Sequence, residues 1–129
     1  MKIEHIAYNV SDPAAVAAWY VTHLGLKIVR IVDVPAKTHF LADDQATAIE
    51  IYCNPVDQVP DYASMDPLIL HVAFTSENPD TDAARLIEAG ATSFSNNHFP
   101  DGTQLIMLRD PWGFALQLCK RGTPLITAE

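Results

Sequence analysis

Cysteine is scarce: two residues, Cys53 and Cys119, in a chain of 129. Two isolated thiols make no disulfide framework and no paired-thiol zinc knuckle, which points to a reducing, cytoplasmic setting. Cations are scarce too, with 8 Lys and Arg against 16 Asp and Glu, for a net charge of −8. Such a surface repels phosphate backbones and anionic headgroups, so neither nucleic acid nor a membrane is expected as a partner. No apolar run approaches the length of a membrane span. Glu4 and His5 interrupt the segment in which a signal peptide needs an apolar core. What is present suits a compact domain, with 49% hydrophobic and 19% charged residues and no signature of disorder.

The chain repeats itself. Residues 3–24 read IEHIAYNVSDPAAVAAWYVTHL and residues 69–90 read ILHVAFTSENPDTDAARLIEAG. His5 recurs as His71, Ala7 as Ala73, Tyr8 as Phe74 and Pro13 as Pro79. At the ends of the halves Asp43, Ala48 and Glu50 recur as Asp110, Ala115 and Gln117. Each half begins with a strand, at 3–10 and 68–75. A helix follows, opened by Asp12-Pro13 or Asn78-Pro79, a side-chain cap with proline in the first helical position. Gly25 and Gly90 mark the stops. Three strands complete each half, at 26–34, 37–42 and 48–53, then 92–95, 104–109 and 114–119, with Asp-, Gly- and Pro-rich turns between them. The pattern predicts an α+β chain of two βαβββ modules, the first over about 1–54 and the second over about 68–121. A proline-rich linker covers 55–67 and a loose tail 122–129.

Alternation along the strands sorts each into two faces. Ile6, Tyr8 and Val10 oppose His5 and Ala7; Ile49 and Ile51 oppose Ala48 and Glu50. In the second half Leu68, Leu70, Val72 and Phe74 oppose Ile69, His71 and Ala73, and Phe114, Leu116 and Leu118 oppose Ala115 and Gln117. The bulky face suits packing beneath a helix. The other face sets one metal-capable side chain beside an alanine, four times over, and small neighbours leave room for a ligand. Imidazole with carboxylate or amide oxygen suits Zn, Ni, Co, Mn or Fe(II). The same residues also read as polar groups on a partly solvated sheet face.

IEHIAYNVSDP, WYVTHLGLKIVR, LHVAF and RDPWGFALQL together resemble the vicinal oxygen chelate superfamily, which includes glyoxalase I, epimerases, extradiol dioxygenases and bleomycin-resistance proteins. The resemblance runs over residues 3–121. It implies an open, cup-shaped barrel of mixed sheet with helices outside, and one divalent metal ion held by His5, Glu50, His71 and Gln117. It further implies a lyase, isomerase or epimerase acting on a small oxygen-rich substrate through a metal-stabilised enediolate or oxyanion. Glu50, the sole carboxylate of the four, would then serve as ligand and as catalytic base. The family often carries glutamate where Gln117 stands, and the iron site of the dioxygenases requires it, so a ring-cleaving oxygenase is disfavoured. A metal-free binding protein of the bleomycin-resistance type is the alternative. By the same analogy the chain is expected to form a homodimer.

Four further residues are candidates for a substrate pocket: His39 on a strand, Arg30 and Arg109 near strand ends, and Trp112 in a turn. Each also reads as an ordinary surface or packing residue. The shortage of cations speaks mildly against glutathione, whose carboxylates need several.

Overall fold

The computed structural model describes residues 1–127; of the tail expected at 122–129, residues 128 and 129 lie outside it. Each module has the order βαβββ. The first comprises β1 (His5–Asn9), α1 (Pro13–Leu24), β2 (Lys27–Val32), β3 (Thr38–Ala42) and β4 (Ala48–Tyr52). The second comprises β5 (Val72–Thr75), α2 (Pro79–Glu88), β6 (Thr92–His98), β7 (Gln104–Arg109) and β8 (Ala115–Lys120). Single turns of 3-10 helix at Val56–Gln58 and Tyr62–Ser64 lie in the stretch between them. The chain divides into two compact units after Pro60. Each unit holds one four-stranded mixed sheet, ordered β1-β4-β3-β2 and β5-β8-β7-β6. The first strand of each module runs parallel to the last, and the other pairs are antiparallel.

The two helices start alike because their first turns carry the same chemistry. Asp12 Oδ1 accepts from the Ala15 amide at 3.1 Å, and Asn78 Oδ1 accepts from the Thr81 amide at 3.2 Å. The capping residues share φ/ψ near −137°/84° and −136°/83°, each followed by proline. A side-chain acceptor thus satisfies an amide that the helix leaves orphaned, and proline has none to satisfy. Gly25 closes α1 at φ 73°, a left-handed backbone that glycine adopts without strain.

Each helix covers one face of its own sheet. Val16, Ala17 and Tyr20 of α1 are buried on the side of Leu41, Ile49 and Ile51, and Ala83 and Leu86 of α2 on the side of Ile106, Leu108, Leu116 and Leu118. These aliphatic layers supply most of the stabilisation, at about 1.5–3 kcal/mol per buried large side chain. In the second unit Gln104, buried on the helix side, donates to Asp80 Oδ1 at 3.0 Å and Asn96 Oδ1 at 3.2 Å. The bonds tie α2, β6 and β7 together at one corner. In the turn leading into β7, the amide and hydroxyl of Thr103 hold the Asp101 carboxyl below its ordinary value.

The strands expected at 3–10 and 26–34 are trimmed to 5–9 and 27–32, and two strand ends depart further. The strand expected at 68–75 begins only at Val72. Asp66 captures the chain first: its Oδ1 accepts from the Leu68 amide and its carbonyl from the Ile69 amide, both at 2.9 Å. Leu68, Ile69 and Leu70 therefore lie in a turn and are exposed. Conversely β6 runs to His98, past Ser95, because Asn96, Asn97 and His98 find ladder partners in Ile106, Leu105 and Gln104. Ladder pairing there overrides the low strand propensity of asparagine.

Candidate functional site

Opposite residues of neighbouring strands point to the same side, so register assigns each side chain to a face. In the first unit Ala7, Glu50, Phe40 and Arg30 form one row across β1, β4, β3 and β2. The next row is His5, Ala48, Ala42 and Lys27. Both rows face away from α1, because the intervening Leu41, Ile49 and Ile51 are buried beneath it. The alanines keep this face shallow, and the charged and aromatic groups stand up from it.

His5 and Glu50 meet there. His5 Nε2 lies 3.0 Å from Glu50 Oε2, and His5 Nδ1 donates to Glu4 Oε1 at 2.7 Å. The Phe40 ring stands edge-on to the imidazole, with centroids 6.1 Å apart at 88°. Two donors bound to one ion at about 2.1 Å, at angles between octahedral and tetrahedral, stand about 3.0–3.4 Å apart. The His5–Glu50 spacing fits that requirement. The Glu4 carboxylate that accepts from Nδ1 is 86% exposed, so this contact holds the ring only weakly. Phe40 and Glu4 join the pair for different reasons: Phe40 falls opposite Glu50 once β3 and β4 are paired, and Glu4 adjoins His5 in sequence.

The second unit repeats the row as Ala73, Gln117, Met107 and Ser95. Gln117 is half-buried, with buried Met107 and Ala115 on its own face. His71 immediately precedes β5, two residues before Ala73, and its Nδ1 donates to the Pro67 carbonyl at 2.8 Å. That bond fixes the tautomer and leaves Nε2 as the nitrogen with a lone pair to offer. His5 with Glu50, and His71 with Gln117, thus each occupy their own unit. Among the described residues no group of three His, Cys, Asp or Glu side chains comes together to hold a metal ion.

The four pocket candidates fare unequally. His39 is buried on the helix side of β3, opposite Ile51, with Nδ1 donating to the Lys37 carbonyl at 2.8 Å. It sits on the reverse of the face that carries Glu50, since adjacent strand residues point oppositely. Arg109 is committed to structure. Its guanidinium donates to the carbonyls of Tyr62 at 2.8 Å, Gly113 at 3.2 Å and Met65 at 2.7 Å, and lies 5.5 Å from the Phe94 ring centroid. These bonds clasp the 62–65 turn to the end of the sheet, where a Cβ on Gly113 would come within 2.7 Å of Ala63 Cβ. Arg109→Met is expected to lower stability by about 2–3 kcal/mol, because charged hydrogen bonds are lost and carbonyls are left unpaired. Thermal unfolding would show it as a reduced Tm. Trp112 lies in the turn between β7 and β8, its amide donating to Asp110 Oδ1 at 2.9 Å. Arg30 alone of the four shares the row of Glu50.

Paired βαβββ modules with this register define a fold class, and the similarity to known proteins agrees. Residues 2–118 match the Glyoxalase family, described as the Glyoxalase/Bleomycin resistance protein/Dioxygenase superfamily. The chain belongs to that superfamily. It resembles a glyoxalase family protein from Enterococcus faecalis at 28% identity and TM-score 0.73, covering 92% of this chain and 97% of that one. A glyoxalase I variant from Zea mays has 23% identity and TM-score 0.72 over 93% of this chain and 45% of that one. An antibiotic-binding protein from Streptomyces sp. CB03234 has 20% identity and TM-score 0.69, over 92% and 93%. The last two share the fold. No curated protein sequence matches the chain. Among the described residues no helix is long and apolar enough to cross a membrane.

Proposed function

We propose that His5, Glu50, His71 and Gln117 bind one divalent metal ion, drawn from Zn, Ni, Co, Mn and Fe. On this reading the protein is a lyase, isomerase or epimerase for a small oxygen-rich substrate. The observation that carries the reading is the His5–Glu50 pair, a nitrogen and a carboxylate oxygen 3.0 Å apart on the alanine-lined face. The ion would supply Lewis-acid polarisation of adjacent substrate oxygens. Glu50 supplies the base: its carboxylate is about one-fifth exposed, open to a ligand yet held by the sheet. Its Oε1 takes a proton from the acidic carbon beside those oxygens and returns it to the neighbouring carbon.

Metal analysis of untagged protein tests this directly. The expected result is close to one divalent ion per set of four ligands; protein purified without chelators that neither contains nor takes up a divalent ion would overturn it. The second reading, a metal-free small-molecule binder, is favoured by one residue: Gln117 brings a neutral amide where a third strong ligand would be charged. The same amide disfavours a ring-cleaving dioxygenase, whose iron needs a carboxylate there. Cytoplasmic residence and a homodimer complete the proposal. Leu68, Ile69 and Leu70 are exposed side by side, an apolar surface of the kind that self-association covers.

A further inference from the structure

Unit 1 and unit 2 present the same backbone row with opposite chemistry. Ala7–Glu50–Phe40–Arg30 in the first corresponds to Ala73–Gln117–Met107–Ser95 in the second. Even the irregularity agrees, since both edge strands shift register just before the last member of the row, between Ile28 and Arg30 and between Ser93 and Ser95. The fold therefore does not require an arginine at this position: serine serves in the copy. Lys27 occupies the neighbouring row, across Ala42 and Ala48 from His5. Two of the chain's 8 cationic residues thus stand on the face of the His5–Glu50 pair, in a protein of net charge −8. Arg85 is paired with Asp82 and Arg109 is bound to three carbonyls. Lys27 and Arg30 are exposed and, like Lys2, Lys37, Lys120 and Arg121, have no ion-pair partner among the described residues; what sets them apart is their place on this face.

We infer that this face is an anion subsite and that the substrate class is a small carboxylate with a planar or apolar spacer. The inference rests on the proposed role of His5 and Glu50 for the other end of the molecule. Arg30 and Glu50 are separated by two strand spacings, about 9.6 Å, with Phe40 between them. A ligand whose oxygens reach the His5–Glu50 pair lays its middle over the Phe40 ring and its carboxylate against the Arg30 guanidinium. That planar fork matches a carboxylate with two parallel hydrogen bonds, and Lys27 adds a point charge beside it. In an acidic protein these cations also give an anionic substrate a local place to approach.

The test compares 4-(hydroxyacetyl)benzoate, which carries adjacent oxygens, a ring and a carboxylate, with its neutral primary amide. Binding of each is measured calorimetrically at low salt to wild type, Arg30→Gln and Arg30→Lys, both chelator-treated and zinc-loaded, after confirming that the three unfold at the same temperature. Wild type is expected to prefer the acid by about tenfold, or about 1.4 kcal/mol. Arg30→Gln should bring the acid down to the amide's affinity, and Arg30→Lys should keep part of the preference. Zinc should tighten both probes equally in all three proteins. A preference that survives Arg30→Gln, no preference in wild type, or no binding of either probe would overturn the anion subsite. A preference that depends on Arg30 while zinc affects neither probe would sustain the subsite and count against the metal reading alone.

Discussion

Glu50→Gln is expected to abolish exchange of an acidic substrate C–H proton with deuterated solvent while leaving the fold intact. The amide matches the carboxylate in shape and keeps one oxygen near His5 Nε2, so the 3.0 Å contact and the strand packing have a substitute. What it lacks is basicity. A positioned general base contributes about 10²–10⁴-fold to rate, and the loss should fall in that range. Glu50 lies between Ile49 and Ile51, both buried beneath α1, so its backbone is held whatever the side chain. The thermal transition should shift by less than about 0.5 kcal/mol in stability. The variant would also make the closing strands of the two modules alike, Gln117 already occupying the second. Exchange at the wild-type rate with metal retained would show that Glu50 is a ligand only.

His5→Ala and His71→Ala should each strip the metal from folded protein. Neither side chain belongs to a helix-facing core: His5 is exposed on the face turned away from α1, and His71 precedes β5. Losing one neutral nitrogen ligand of four leaves a site with two oxygens and one imidazole, too weak to retain the ion through purification. The two variants should differ in side effects. His71 holds the Pro67 carbonyl at 2.8 Å, so its loss also loosens the 66–70 turn, whereas His5 bonds only to carboxylates. Metal content by elemental analysis, read beside the Tm, separates the effects. Full metal in the double variant would end the four-ligand assignment.

The fold was largely legible because repetition made each signal count twice. Asp12-Pro13 and Asn78-Pro79 announce helices that do begin there with nearly identical capping angles. Period-two alternation separates Ile49 and Ile51 from Glu50, and burial follows the same division. Legibility failed where a local bond competes with the pattern. Leu68 and Leu70 alternate like strand residues, yet Asp66 turns the chain and strands them in solvent. It failed again where alternation gives a face but not its direction. His39 lies one residue from Phe40, so pairing decides which of them joins Glu50, and Phe40 does. Arg109 shows a third limit. Nothing in RDPWG reveals that its guanidinium meets carbonyls some forty-five positions earlier in the chain.

The duplicated row has an evolutionary consequence. Arg30, Glu50, Ser95 and Gln117 project from the side of each sheet that its helix does not cover, so exchanging them leaves the aliphatic layers under α1 and α2 untouched. Glu50 and Arg30 charge the first row, where Gln117 and Ser95 leave the second neutral, so the two halves can differ in the ligands they meet while their cores stay alike.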